Sequence, residues 1–139
     1  MKTILATGGT GYIGSHTCLE LLKKGYKVII LDSLVNSSEK VISKINFLLN
    51  DKTINDNLTF IKGDINDEKL LNQIFKFAKE KYEPISCVMH FAGLKSVSES
   101  LSNPLQYWHN TVGGSIILFK IMEKYECRTV IFSSSATIY

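Results

Sequence analysis

The sequence predicts an α/β protein with a doubly wound parallel sheet, covered by helices on both faces. Three observations lead there. Five short β-branched runs alternate with four longer segments of helical period, and no hairpin signal joins any two runs. Strands separated in this way run parallel and are linked by right-handed helical crossovers. The third observation is compositional: 45% hydrophobic and 21% charged residues suit a packed globular chain and exclude a disordered one.

Residues 3–6, Thr-Ile-Leu-Ala, form the first expected strand. A glycine turn follows, then a helix over about 12–24, on which Ile13, Thr17 and Leu21 recur at four-residue spacing. Gly25 suits the C-terminal stop of that helix. Residues 27–31 are a second strand, nearly all apolar, as expected when both sheet faces are covered. Ser37, Ser38 and Glu39 open a helix through Val41, Ile42, Ile45, Leu48 and Leu49, and residues 50–57 read as a polar connection. The third strand is 58–61. Asp67 then caps a helix that carries Leu70, Leu71, Ile74, Phe75 and Ala78 on one face. Residues 86–91 make the fourth strand. Pro104 fits the first turn of one long helix to about residue 125, and 129–132 is the fifth strand.

The length, 139 residues, is one domain's worth of chain, since domains commonly run to ~100–200 residues. Sixteen Lys and Arg stand against 13 Asp and Glu, a net +3 with the signs mixed, so neither nucleic acid nor a membrane surface is expected as a partner. No apolar run approaches the ~20 residues of a membrane span. The apolar start stops at Thr7-Gly8-Gly9, too short for a signal peptide, and a cytoplasmic setting is expected. Cys18, Cys87 and Cys127 lie far apart within apolar stretches and read as buried hydrophobes. No metal site is expected, because His16, His90 and His109 have no ligand partners at suitable spacing. Tyr107 and Trp108 read as an aromatic stripe packed in the core.

Chemistry concentrates in Thr7-Gly8-Gly9-Thr10-Gly11-Tyr12-Ile13-Gly14, between the first strand and the first helix. It reads as G-x-G-x-x-G from Gly9 or as G-x-x-G-x-x-G from Gly8. Either way, glycine lets the backbone turn tightly and approach a pyrophosphate, and the helix aims unpaired N–H groups at that anion. Asp32 ends the second strand, 18 residues beyond Gly14. A carboxylate there accepts hydrogen bonds from the adenosine ribose and repels a 2′-phosphate, and no arginine follows it. NAD(H) is therefore favoured over NADP(H). Asp64, after the third strand, suits the adenine amino group with Ile65 packed on the ring, although in isolation it reads as a solvated turn aspartate.

This loop resembles the opening of the extended short-chain dehydrogenase/reductase family, and within it the UDP-glucose 4-epimerases. More discriminating are Asp32-Ser33-Leu34-Val35-Asn36-Ser37, His90-Phe91-Ala92-Gly93-Leu94-Lys95-Ser96-Val97-Ser98-Glu99-Ser100, and Phe132-Ser133-Ser134-Ser135-Ala136-Thr137-Ile138-Tyr139. The resemblance spans the whole chain and implies a Rossmann-type NAD-binding domain over residues 1–139. It places Gly8, Gly11, Tyr12, Ile13 and Gly14 at the pyrophosphate, Asp32, Ser33, Leu34, Val35, Asn36 and Ser37 around the ribose, and Asp64 and Ile65 at adenine. Phe91, Ala92, Gly93, Leu94 and Lys95 would line the nicotinamide side, with Lys95 also near the UDP-sugar substrate. Asn110 would complete the cofactor shell.

Ser135 matches the family's catalytic Ser/Thr, which touches cofactor and substrate and relays the proton of the sugar 4-hydroxyl. From the residues alone, three consecutive serines leave its choice uncertain by one position. The implied reaction oxidises and re-reduces C4 of the sugar, interconverting UDP-glucose and UDP-galactose on a bound NAD. The family's Tyr-x-x-x-Lys base is missing: Tyr12, Tyr26, Tyr82, Tyr107 and Tyr125 are followed four positions on by His16, Ile30, Ser86, Thr111 and Thr129. The expectation is an amino-terminal piece of a homodimeric epimerase, lacking the last sheet strands and the substrate domain, and inactive alone. Another nucleotide-sugar epimerase, a dehydratase, or a stand-alone NAD-binding module are the alternatives.

Overall fold

The fold is taken from a computed structural model, which describes residues 1–93 and 97–134. Five strands form one parallel sheet: β1 (Thr3–Thr7), β2 (Lys27–Asp32), β3 (Leu58–Lys62), β4 (Ile85–His90) and β5 (Val130–Phe132). Their spatial order is β3-β2-β1-β4-β5. The chain therefore builds outward from β1 in one direction, then crosses back over β1 and builds the other way. That reversal opens a crevice at the carboxyl ends of β1 and β4, where such sheets place ligands.

The helices are α1 (Tyr12–Lys23), α2 (Lys40–Leu49), α3 (Lys52–Asn55), α4 (Glu68–Lys81), α5 (Val97–Ser102), α6 (Pro104–Trp108) and α7 (Gly114–Lys124). Alternate strand residues feed two cores, the consequence of a side-chain period of two. Ala6, Val28 and Ile30 pack under Cys18 and Leu22 of α1 and Ile45 of α2. Leu5, Ile29 and Leu31 pack under Leu71, Ile74 and Phe75 of α4 and Leu118 and Ile121 of α7. Helices on both faces of a parallel sheet make the fold doubly wound, as the alternating pattern predicts.

Asp67 caps α4 as expected, accepting a hydrogen bond from Leu70 N at 3.0 Å. Gly25, at φ +81°, takes the left-handed turn after α1. The register of α1 differs from the expectation. Its buried face is Gly14, Cys18 and Leu22, while Ile13 is exposed. The reason lies in Gly14, which brings the helix against the loop and turns Ile13 toward the crevice. The connection over 50–57 contains α3, nucleated by Asp51, whose side chain accepts from Thr53 N at 2.9 Å. The long helix expected from Pro104 runs without a gap to Lys124, but its middle widens into a π-turn, His109–Gly113, between α6 and α7. Thr111, Val112, Gly113 and Gly114 are weak helix formers, so the backbone there widens at little cost. Trp108 is two-thirds exposed rather than core, because α6 lies away from the sheet.

All three cysteines are free and buried. Burial pushes the Cys18 thiol up to about 12 and raises Cys87 and Cys127 as well, consistent with unreactive apolar packing. Among the described residues no helix is long and apolar enough to cross a membrane.

Candidate functional site

The crevice over the carboxyl ends of the strands is a cleft of about 470 Å³. Its lining gathers Gly8, Gly11, Tyr12, Ile13 and Gly14 from the glycine turn, Asp32, Ser33, Val35, Asn36 and Ser37 from the loop after β2, and Asp64 and Ile65 after β3. Phe91, Ala92 and Gly93 after β4 and Asn110 on the π-turn close the far side. Leu34 does not line the cleft. Its backbone, at φ +62°, turns the loop, and its N–H donates to Asp32 Oδ1 at 2.9 Å. The expectations for Leu94, Lys95 and Ser135 lie outside the described residues.

The turn is tight for a physical reason. Gly8 has φ +70°, and a Cβ on it would lie 2.6 Å from Ala92 N. A Cβ on Gly14 would lie 2.5 Å from Gly8 O and 2.9 Å from Gly9 Cα, so the first turn of α1 sits directly on the loop. The N-cap is Gly11, which offers no side chain, and the first turn of α1 carries no acidic residue. The unpaired N–H groups at that helix end therefore face the cleft unscreened, with the positive end of the helix dipole behind them. Among the described residues no lysine or arginine lines the cleft. At the helix end itself an anion meets backbone donors.

Asp32 stands beside this turn. Its Oδ2 accepts from Thr10 N at 3.0 Å, and its Oδ1 accepts from Leu34 N at 2.9 Å and Ser37 Oγ at 3.3 Å. Thr10 Oγ1 and Ser37 Oγ are 2.6 Å apart, joining the two loops. A carboxylate offers about four acceptor sites, so three are used in bracing the loops and capacity remains on Oδ2 for a ligand hydroxyl. Sequence reasoning anticipated Asp32 as a ligand contact and missed its role as a brace.

Beneath the far side lies a buried polar chain. His90 is 2% exposed, with Nδ1 2.6 Å from Thr7 Oγ1 and Nε2 2.9 Å from Ser115 Oγ. Ser115 donates to Thr111 O at 2.6 Å, so it accepts from a protonated Nε2. Nδ1 then accepts from the Thr7 hydroxyl, which in turn receives Ala92 N at 3.5 Å. The chain fixes the ends of β1 and β4 to the π-turn that carries Asn110. His16, by contrast, is exposed and bonds Tyr12 O at 2.8 Å. Thr7, Leu31, Gly63 and Ser133 also line the cleft and were not anticipated. The only available signal was position, since each lies at or next to the carboxyl end of a strand.

Strand order, switch point and uncapped glycine turn together define a Rossmann-type doubly wound α/β protein. Residues 5–139 match the family described as GDP-mannose 4,6 dehydratase, and the chain belongs to it. It is 48% identical over its whole length to the bifunctional protein GAL10 of Pachysolen tannophilus, of which it covers 19%. It is 44% identical over 136 residues to the UDP-glucose 4-epimerase of Bacillus subtilis, covering 98% of this chain and 37% of that one. The crystal structure of UDP-glucose 4-epimerase from Bifidobacterium longum, in complex with NAD⁺ and UDP, superposes with a TM-score of 0.87 at 39% identity, over 99% of this chain and 38% of that one. The chain thus spans well under half the length of these relatives.

Proposed function

We propose that these residues are the NAD-binding domain of an NAD-dependent UDP-glucose 4-epimerase, which interconverts UDP-glucose and UDP-galactose in the cytoplasm as a homodimer. One observation carries the cofactor assignment: an uncapped, acid-free helix end and the Asp32 carboxylate meet at one cleft. That pairing suits a ligand with a pyrophosphate next to an unphosphorylated ribose. The cradle fits the group, since Gly8 and Gly14 leave no space for a Cβ and keep the backbone close. Likeness to UDP-glucose 4-epimerases along the whole chain supports the substrate.

Gly8, Gly11, Tyr12, Ile13 and Gly14 would hold the pyrophosphate and Asp32, Ser33, Val35, Asn36 and Ser37 the adenosine ribose. Asp64 and Ile65 would take adenine, and Phe91, Ala92, Gly93, Leu94, Lys95 and Asn110 the nicotinamide end. NAD, when bound, supplies the hydride acceptor and donor for C4 of the sugar. Ser135 would orient the 4-hydroxyl proton, and Lys95 would serve in binding the sugar nucleotide. These 139 residues hold no Tyr-x-x-x-Lys pair, so by themselves they are expected to be inactive. The family description as a dehydratase favours a second reading, a nucleotide-sugar 4,6-dehydratase on the same cofactor domain.

Titration calorimetry of the full-length protein with NAD and NADP, followed by an equilibrium assay on UDP-galactose, separates these. Preferential NAD binding with UDP-glucose as product is expected. Equal binding of NADP removes the cofactor assignment, and water loss from the sugar in place of epimerisation removes the substrate assignment.

A further inference from the structure

We propose that Asn66 is a positioning residue for adenine selectivity, holding Asp64 so that one carboxylate oxygen is anchored and the other is presented to the ligand. This deepens the NAD reading and rests on it. Asp64 lines the cleft, and its Oδ1 accepts two hydrogen bonds from Asn66, from the backbone N at 2.8 Å and from Nδ2 at 3.0 Å. Among the described residues no donor reaches Asp64 Oδ2. That oxygen is a pure acceptor, suited to a ligand donor such as the adenine 6-amino group.

The Asn66 side chain holds this pose against its own preference. Charge fixes which end faces Asp64, because turning the amide over would set two oxygens against each other. Its Oδ1 is then buried with no partner, an arrangement a side chain free to reach water would abandon. The start of α7 keeps it there. A Cβ on Gly113 would lie 3.5 Å from Asn66 Oδ1. One on Gly114 would lie 3.5 Å from Asn66 Nδ2 and 2.6 Å from Ile65 Cγ2. The bare backbone at Gly114 lets the 64–66 loop close onto the helix, with Ile65 buried at the contact. The loop is thereby tied to the π-turn that carries Asn110 into the same cleft.

Nicotinamide hypoxanthine dinucleotide is the discriminating probe, since it carries a 6-carbonyl acceptor where NAD has the amino donor. Dissociation constants for both dinucleotides are measured in the full-length protein and in Asn66→Ala and Asn66→Ser. Loss of one net hydrogen bond in the anchor is expected to shrink the preference for NAD roughly fivefold, with the hypoxanthine analogue bound within about twofold of its original affinity. In an Asp64→Asn background the same substitutions leave the ratio unchanged. If both dinucleotides weaken together, or the ratio moves equally without Asp64, Asn66 is merely structural and the proposal fails. If the unsubstituted protein binds no NAD, the cofactor reading itself falls, and this inference with it.

Discussion

Asp32→Asn probes both roles of that carboxylate at once. The native side chain accepts from Thr10 N, Leu34 N and Ser37 Oγ. An amide presents only one accepting oxygen. With that oxygen kept toward Leu34 and Ser37, the –NH₂ faces Thr10 N–H, donor against donor. One hydrogen bond to a charged group is lost, worth about 1.5–3 kcal/mol. Because the site is half-exposed and water can partly replace the lost acceptor, about 1–2 kcal/mol is the expected loss. Urea unfolding of the full-length protein, with the slope m unchanged, reads this as a lower midpoint. The same change removes the charge that repels a 2′-phosphate, so the preference for NAD over NADP falls at least tenfold in direct binding. A variant with unchanged stability would show that the three contacts do not brace the loops. An unchanged dinucleotide ratio would show that Asp32 does not read the ribose.

Three further outcomes are expected. Gly14→Ala places a Cβ 2.5 Å from Gly8 O, a backbone atom that cannot swing aside, so α1 must retreat from the loop. Overpacking of this kind costs about 1–3 kcal/mol, offset in part by the better helix propensity of Ala, and calorimetry should show NAD affinity falling more than tenfold. His90→Ala deletes the buried link between Thr7 and Ser115 and leaves the Thr7 hydroxyl without its acceptor; a stability loss of about 2–4 kcal/mol in urea checks it. The Cys18 thiol, raised from 9.0 to about 12 in the folded protein, keeps its proton where the unfolded chain has lost it. Its contribution is therefore complete below pH 9 and disappears as the pH rises toward 12. Cys18→Ala should flatten this alkaline loss of stability in pH-dependent unfolding, and native Cys18 should resist a thiol reagent at pH 8 that labels the unfolded chain.

The backbone plan was legible because it depends on local signals. β-Branched runs, Asp67 as a cap and Gly25 as a stop each act within a few residues, and each appears in the fold as expected. The glycine turn and Asp32 were legible too, since a strand, a turn and the next strand's end must meet in a doubly wound sheet. The π-turn was hidden. Weak helix formers at residues 111–114 permit it, but contacts with Ile65, Asn66 and His90 select it. Burial of α1 on Gly14–Cys18–Leu22 was equally hidden, because periodicity gives a stripe and only the seat on the loop decides which one turns inward.

By itself, then, the sequence determined a parallel α/β chain with a glycine turn suited to a phosphate and an acid suited to NAD. Tertiary structure decided how that equipment is held. Asp32 is a brace as well as a candidate ligand contact, His90 joins two strand ends to a helix, and Asn66 sets the face that Asp64 offers. These pairings lie between residues 2 and 85 positions apart in sequence, the longer ones across the sheet. No local preference encodes the longer ones. They exist only once the crossover between β3 and β4 has brought the carboxyl ends of the strands together at one cleft.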